Sequence, residues 1–337
     1  MRAKPVSTKR FRSVISPNFN QLLMLSRVAN SIYWMNRYIE RAENYSRLIN
    51  VNLNISLDLP PGLSEQWLPL ISTTGDELAF FQRYGEATKS NVLDFMVADT
   101  ENPNSILSCL KQARENARTV RDSISIEMWE HINRTYHFVQ EAVSRHDWKR
   151  HDAASFFNEV RRNCQLFLGI VDTTISRTEG WHFGTIGHFI ERADKTSRFL
   201  DMKYFILLPD TKDVGSTIDL TQWTSILKSA SAYQMYRRQY SKITPANIAE
   251  FLIFNQSFPR SIRFALMQAE TSLHAITGTP LSTFSNSAEK KLGQLRSELE
   301  YTDIQDIIAK GLHESLDDIQ RRLNEIDNLI YENFFAH

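Results

Sequence analysis

The 337 residues carry 39 Lys+Arg against 39 Asp+Glu, and 42% of them are hydrophobic. That balance leaves no net field of either sign, which disfavours nucleic acid as a partner, and the apolar share can supply the core of one large or two ordinary domains. No apolar run approaches the ~20 residues of a membrane-spanning helix, and Cys109 and Cys164 have neither zinc-ligand spacing nor disulfide density, so a reducing cytoplasm is the expected setting.

In chain order, residues 1–23 lack the apolar core of a secretory signal and hold Arg2, Lys4, Lys9, Arg10 and Arg12, with no acidic residue before Glu40. They read as a basic, disordered leader ahead of a second start at Met24, or else as an arm for phosphate or another anionic partner. From Met24 to about Leu57, Val28, Ile32, Met35, Ile39, Ala42, Tyr45, Ile49 and Leu53 recur every three or four positions. This spacing predicts one long amphipathic helix, stopped by Pro60-Pro61-Gly62.

Shorter helices are expected around 76–86 and 89–98, then at 104–117 after Asn102-Pro103-Asn104-Ser105, at 119–145, and at 152–177 ending at Glu179-Gly180. A second long helix is expected over 182–208, closing at Pro209-Asp210. Helices near 219–239, 245–255, 259–276, 285–299 and 302–334 follow, with a break at Thr277-Gly278-Thr279-Pro280. Sustained period-two alternation is absent, so the fold class is all-α, a multi-helix bundle.

One internal signal stands out. Tyr38-Ile39-Glu40-Arg41-Ala42-Glu43-Asn44-Tyr45-Ser46-Arg47-Leu48-Ile49 aligns without gaps to Phe189-Ile190-Glu191-Arg192-Ala193-Asp194-Lys195-Thr196-Ser197-Arg198-Phe199-Leu200, with six identities. Duplication of a helical unit explains this most simply. The expected organisation is a single helical domain over 24–337, with halves of about 24–179 and 180–337 related by a pseudo-twofold axis and added C-terminal helices from about Leu220.

At 3.6 residues per turn, Glu40, Asn44 and Arg47 share a face with Arg41 beside it, and Glu191, Lys195 and Arg198 repeat the pattern beside His188 and Arg192. Two such helices can interlock Glu40 with Arg192 or Arg198, and Glu191 with Arg41 or Arg47. The network either fixes register only, or it forms a site. In the second reading Glu40 and Glu191 are the candidate catalytic carboxylates, and Arg37, Arg41, Arg47, His188, Arg192 and Arg198 bind an anionic group. Pro259-Arg260-Ser261-Ile262-Arg263-Phe264, with Glu270, reads as a third helix start that brings Arg260 and Arg263 to the same cluster or lays them on a salt-bridged surface.

A carboxylate di-metal centre on a bundle needs Glu-x-x-His on two helices. The one match, Glu179-Gly180-Trp181-His182, straddles an expected helix break, so no metal site is assigned. His131, His137, His146, His151, His182 and His188 show no ligand spacing, and no Gly-rich phosphate loop occurs; no cofactor is expected. Tyr233, Tyr236 and Tyr240 beside Arg237 and Arg238 are a candidate partner surface.

Met24-Leu25-Ser26-Arg27-Val28-Ala29, then Tyr33-Trp34-Met35-Asn36-Arg37-Tyr38-Ile39-Glu40-Arg41-Ala42-Glu43, resemble the opening of the bacterial alpha-E family. Glu191-Arg192, Asn116-Ala117-Arg118-Thr119-Val120-Arg121-Asp122 with Trp129, and Pro259-Arg260-Ser261-Ile262-Arg263-Phe264 extend the likeness over nearly the whole chain from Met24. The resemblance implies an all-helical domain with a Glu-Arg motif, encoded beside or fused to a circularly permuted ATP-grasp protein, often with a transglutaminase-like protease nearby. It therefore implies a context of peptide or amide synthesis. A helical partner subunit of such a ligase, a stand-alone enzyme using Glu40 and Glu191, and a structural adaptor are the three functions to separate. Self-association is a further open expectation.

Overall fold

The computed structural model describes residues 24–57, 66–150, 153–205 and 215–336, which form fifteen α-helices and no strand. The basic leader, the Pro60-Pro61-Gly62 and Pro209-Asp210 stops and His151 lie outside the described residues. The apolar spacing after Met24 folds as α1, Ser26–Leu57. Then come α2 (Leu68–Thr74), α3 (Glu77–Tyr84), α4 (Lys89–Val97), α5 (Ile106–Thr119), α6 (Ile126–Arg145) and α7 (Ala153–Thr174). The second motif lies on α8, Glu179–Phe205. The chain ends through α9 (Thr217–Ser229), α10 (Tyr233–Gln239), α11 (Pro245–Phe254), α12 (Ile262–Thr277), α13 (Ser287–Tyr301), α14 (Ile304–Lys310) and α15 (Leu312–Ile330).

The departures from the expected elements have local causes. Helix α2 was not expected, yet Pro69 sits in its first turn and Gly75, at φ +78°, closes it in the left-handed conformation. The helix expected over 219–239 is two, because Ser231 takes φ +52° between α9 and α10. That expected over 302–334 breaks at Gly311, whose φ of +102° no other residue type adopts easily, and finishes in a π turn at Tyr331–Phe335. Residues 121–123 form a 3-10 turn, and α6 starts only after the Ser125 cap. Glu179–His182 does not straddle a break but forms the first turn of α8, where Glu179 accepts the Met24 backbone N–H at 2.8 Å.

Helices α1 and α8 are the two central elements. Their contacts rise together along both, from Met24 with Glu179 through Tyr33 with Gly187 to Glu40 with Arg192, so they run parallel. The α2–α7 segment returns the chain to permit this. A Cβ on Gly187 would stand 2.4 Å from the Tyr33 carbonyl oxygen, so the close approach requires that glycine, while one on Gly184 would stand 2.7 Å from Asn36 Nδ2 and displace that side chain. Helices α5 and α7 pack on α1, while α12, α15 and α2 pack on α8. Met35, Ile39, Ala42, Ile49, Ile186, Ile190, Ala193 and Leu200 are buried between them, each large side chain contributing roughly 1.5–3 kcal/mol. The motif charges therefore lie inside the bundle rather than along its edge.

Candidate functional site

The parallel packing sets Glu40 at the level of Glu191, and each carboxylate takes the arginine that follows its counterpart. Arg192 Nε and Nη2 donate to Glu40 Oε1 and Oε2 at 2.9 and 3.0 Å. Arg41 Nε and Nη2 donate to Glu191 Oε1 and Oε2 at 2.6 and 2.9 Å. Both are two-pronged pairs, the strongest geometry available to guanidinium and carboxylate. Of the interlocks expected from sequence, Glu40–Arg192 and Glu191–Arg41 form. Arg47 and Arg198 instead turn to acids one helical turn back, Glu43 and Asp194.

Further side chains extend the lattice in three directions. Arg260 donates to Glu40 Oε1 at 3.1 Å, Asn44 Oδ1 at 2.9 Å and Glu43 Oε1 at 2.8 Å. It does so from the turn just ahead of the Ser261 cap of α12, where the Ser261 N–H donates to the Phe258 carbonyl, not from within a helix started by Pro259. Arg37 reaches Glu191 Oε2 at 3.0 Å and Asp327 of α15, which also accepts the Tyr33 hydroxyl. Arg41 Nη1 donates to Asn104 Oδ1 at 2.6 Å, and Asn104 in turn donates to Asp76. Lys195 pairs with Asp194 at 2.8 Å and Glu191 at 3.4 Å. Arg263 stays outside: it pairs with Glu300 at 3.2 Å, and Glu270 pairs with Arg296. The left-handed Ser231 places its hydroxyl on Arg47.

Glu43, Asp194, Asp327, Asn104 and Asp76 were not singled out from the sequence. The i, i+4 spacing of Glu43–Arg47 and Asp194–Arg198 was the available signal for the first two. The tyrosine stripe expected as a partner surface turns inward: Tyr236 is fully buried and stacks on Tyr240, because α10 packs beside α11 through Phe251.

Electrostatics follow the geometry. Burial opposes ionisation of Glu40, but Arg192 and Arg260 outweigh it and hold the carboxyl well below its usual range. Glu191 is likewise held low against its burial by Arg41, Lys195 and Arg37. Asp194 is held low by Arg198 and Lys195. His188 is pushed down to about 3 by burial, reinforced by Arg192, so it is neutral. Its Nδ1 lies 3.2 Å from Glu40 Oε2 without hydrogen-bond geometry. Chemically, carboxylates so stabilised are weak bases, and acid/base work at neutral pH calls for the opposite shift. Among the described residues no group of three or more His, Cys, Asp and Glu is placed to hold a metal ion, and no helix is long and apolar enough to cross a membrane.

Fold and lattice together define an all-helical domain built around paired Glu-Arg motifs. The chain belongs to the Alpha-E family, described as a predicted alpha-helical domain with a conserved ER motif, which it matches over residues 24–335. It is 22% identical over 311 residues to uncharacterized proteins of Mycobacterium tuberculosis strain H37Rv and of Mycobacterium bovis, covering 86% of this chain and 34% of theirs. The chain thus spans about a third of the length of these relatives. No solved structure matches it.

Proposed function

We propose that this chain is a non-catalytic helical partner of a circularly permuted ATP-grasp ligase acting in peptide or amide synthesis, and that its Glu-Arg lattice is the clasp that fixes the shape it presents. The observation that carries this reading is the commitment of Glu40, Glu191, Arg37, Arg41, Arg192 and Arg260 to one another in the bundle interior. Side chains so paired are poorly placed to seize a substrate, but well placed to hold two helices in one register. The occurrence of the homologous stretch as a third of a longer chain in the relatives supports a module that works with another domain. The ligase partner is the expectation that the family resemblance carries.

The test is to purify this chain with a circularly permuted ATP-grasp protein encoded beside it. Co-elution of the two, with amino-acid-dependent ATP turnover that requires this chain, is the expected outcome. Separate elution, with turnover unaffected by adding the chain, refutes the partnership.

A further inference from the structure

Beside the lattice, α2, α8 and α15 enclose an open cleft of about 430 Å³. Arg198 forms part of its lining. Its Nε is held by Asp194 and its Nη1 donates to the Thr73 carbonyl at 3.1 Å, while Nη2 has no partner among the described residues. On the facing helix, His313 Nδ1 is fixed 2.6 Å from Asp201 Oδ1, and the ring is stacked flat on Tyr204 at 3.9 Å. Asp201 is more than nine-tenths buried. This arrangement leaves His313 Nε2, on the far side of the ring, available to a ligand. The hydrogen bond to Asp201 also raises the imidazole's pKa, which favours the cation.

Gln320 supplies the third group. It is more than nine-tenths buried, lines the same cleft, and its NH2 has no hydrogen-bond partner among the described residues. An unmet buried amide donor costs about 1–3 kcal/mol, which a ligand oxygen would recover. Rotation about its last torsion exchanges its nitrogen and oxygen, so either can be offered to the cleft. Asp317 and Arg321 also line the cleft, giving three cations against two carboxylates when His313 is protonated. Gly75, at φ +78°, lines the α2 side in a conformation that favours glycine.

We propose that this cleft is an oxyanion site, taking a phosphate or carboxylate group on Arg198, His313 and the Gln320 amide. This assignment does not depend on the ligase reading. It is tested by calorimetric titration of inorganic phosphate, and separately acetate, into the full chain at low ionic strength, comparing the native protein with Gln320→Leu and His313→Gln. Saturable binding that weakens about tenfold or more in both variants is expected, the loss of roughly one charge-assisted contact each. Gln320→Leu removes no intramolecular hydrogen bond and should keep the native thermal midpoint; if it does not, the partly exposed His313→Gln carries the comparison. Saturation by phosphate alone identifies a phosphate monoester as the ligand class, and by acetate alone a carboxylate. No saturable binding of either anion, or binding that both substitutions leave unchanged, overturns the proposal.

Discussion

Replacing Arg192 by lysine keeps the positive charge beside Glu40 but removes the planar fork. Natively, Nε and Nη2 each hold one Glu40 oxygen, at 2.9 and 3.0 Å, and Nη1 reaches the Pro259 carbonyl at 3.4 Å. A single ammonium on a shorter stem keeps one of the two carboxylate bonds, leaving Glu40 Oε2 beside a neutral His188 that does not bond to it. One charge-assisted hydrogen bond is worth about 1.5–3 kcal/mol, so Arg192→Lys should cost roughly 2–3 kcal/mol. Arg192→Met removes both prongs, leaves Arg260 as the one guanidinium on the buried Glu40 charge, and should cost about 3–5 kcal/mol. Urea unfolding followed by helical circular dichroism reads both as shifts of midpoint at constant slope. The double variant Glu40→Gln/Arg192→Met should lose at least about 1 kcal/mol less than the two single losses combined, since each single change exposes the other's partner. A native urea midpoint for Arg192→Lys, together with additive losses in the cycle, would sink the clasp reading and leave Arg192 free for a ligand.

Acid should unfold the protein in two stages. The folded His188 titrates near 3 and the unfolded one near 6.5, so across that window the unfolded state binds an extra proton and stability falls with pH by up to about 1.4 kcal/mol per unit. His188→Gln should flatten the fall between pH 6.5 and 4.5, and equal slopes in both proteins would mean His188 is not held neutral. Glu40 and Glu191, held low in the fold, add stability that is present above the ordinary carboxyl range and is lost below it, steepening the limb under about pH 4.3. Gly187→Ala drives a methyl onto the Tyr33 carbonyl and should cost about 1–3 kcal/mol or more; a native thermal midpoint would show that α1 and α8 can separate at no cost. Burial raises the thiol pKa of Cys109 to about 12 and lifts that of Cys164 as well. Neither should react with a disulfide reagent until urea unfolds the chain, and stoichiometric labelling of native protein would contradict their burial.

Much of the motif geometry was legible because it repeats. An aligned Glu-Arg pair on two helices can satisfy itself reciprocally, and Glu40–Arg192 and Glu191–Arg41 are that solution. The choice against Arg47 and Arg198 was also local, since each has its own acid four residues earlier. Arg260 and Arg263 were harder to divide. On a continuous helix they would share a face, but the turn that precedes the Ser261 cap holds Arg260 outside α12, so the two point to different clusters. Asp327 and His313 lie more than a hundred residues from their partners Arg37 and Asp201, and nothing local marks them. The break at Ser231 was invisible because neither Gly nor Pro punctuates it, whereas Gly311 did punctuate α14 and α15 and was overridden by the apolar spacing on either side.

The lattice also answers a problem that apolar packing alone leaves open. Two parallel helices with Ile, Ala and Leu at every third or fourth position can slide by one turn, about 5.4 Å, and still meet apolar surface. Such a slip would carry Glu40 from Arg192 to His188 or Thr196, and Arg41 from Glu191 to Gly187 or Lys195, destroying both two-pronged pairs at once. Each buried carboxylate would then lose its two-pronged guanidinium partner, a penalty of several kcal/mol. Gly187 enforces the same register sterically, since a Cβ there would meet the Tyr33 carbonyl. Charge and glycine therefore select one alignment from a ladder of near-equivalent ones, and that alignment sets where α8 carries Arg198 relative to α2 and α15. Of the repeated motif's arginines, Arg198 is the one that lines the open cleft, so the rigidity of the interior fixes the position of the donor offered at the surface.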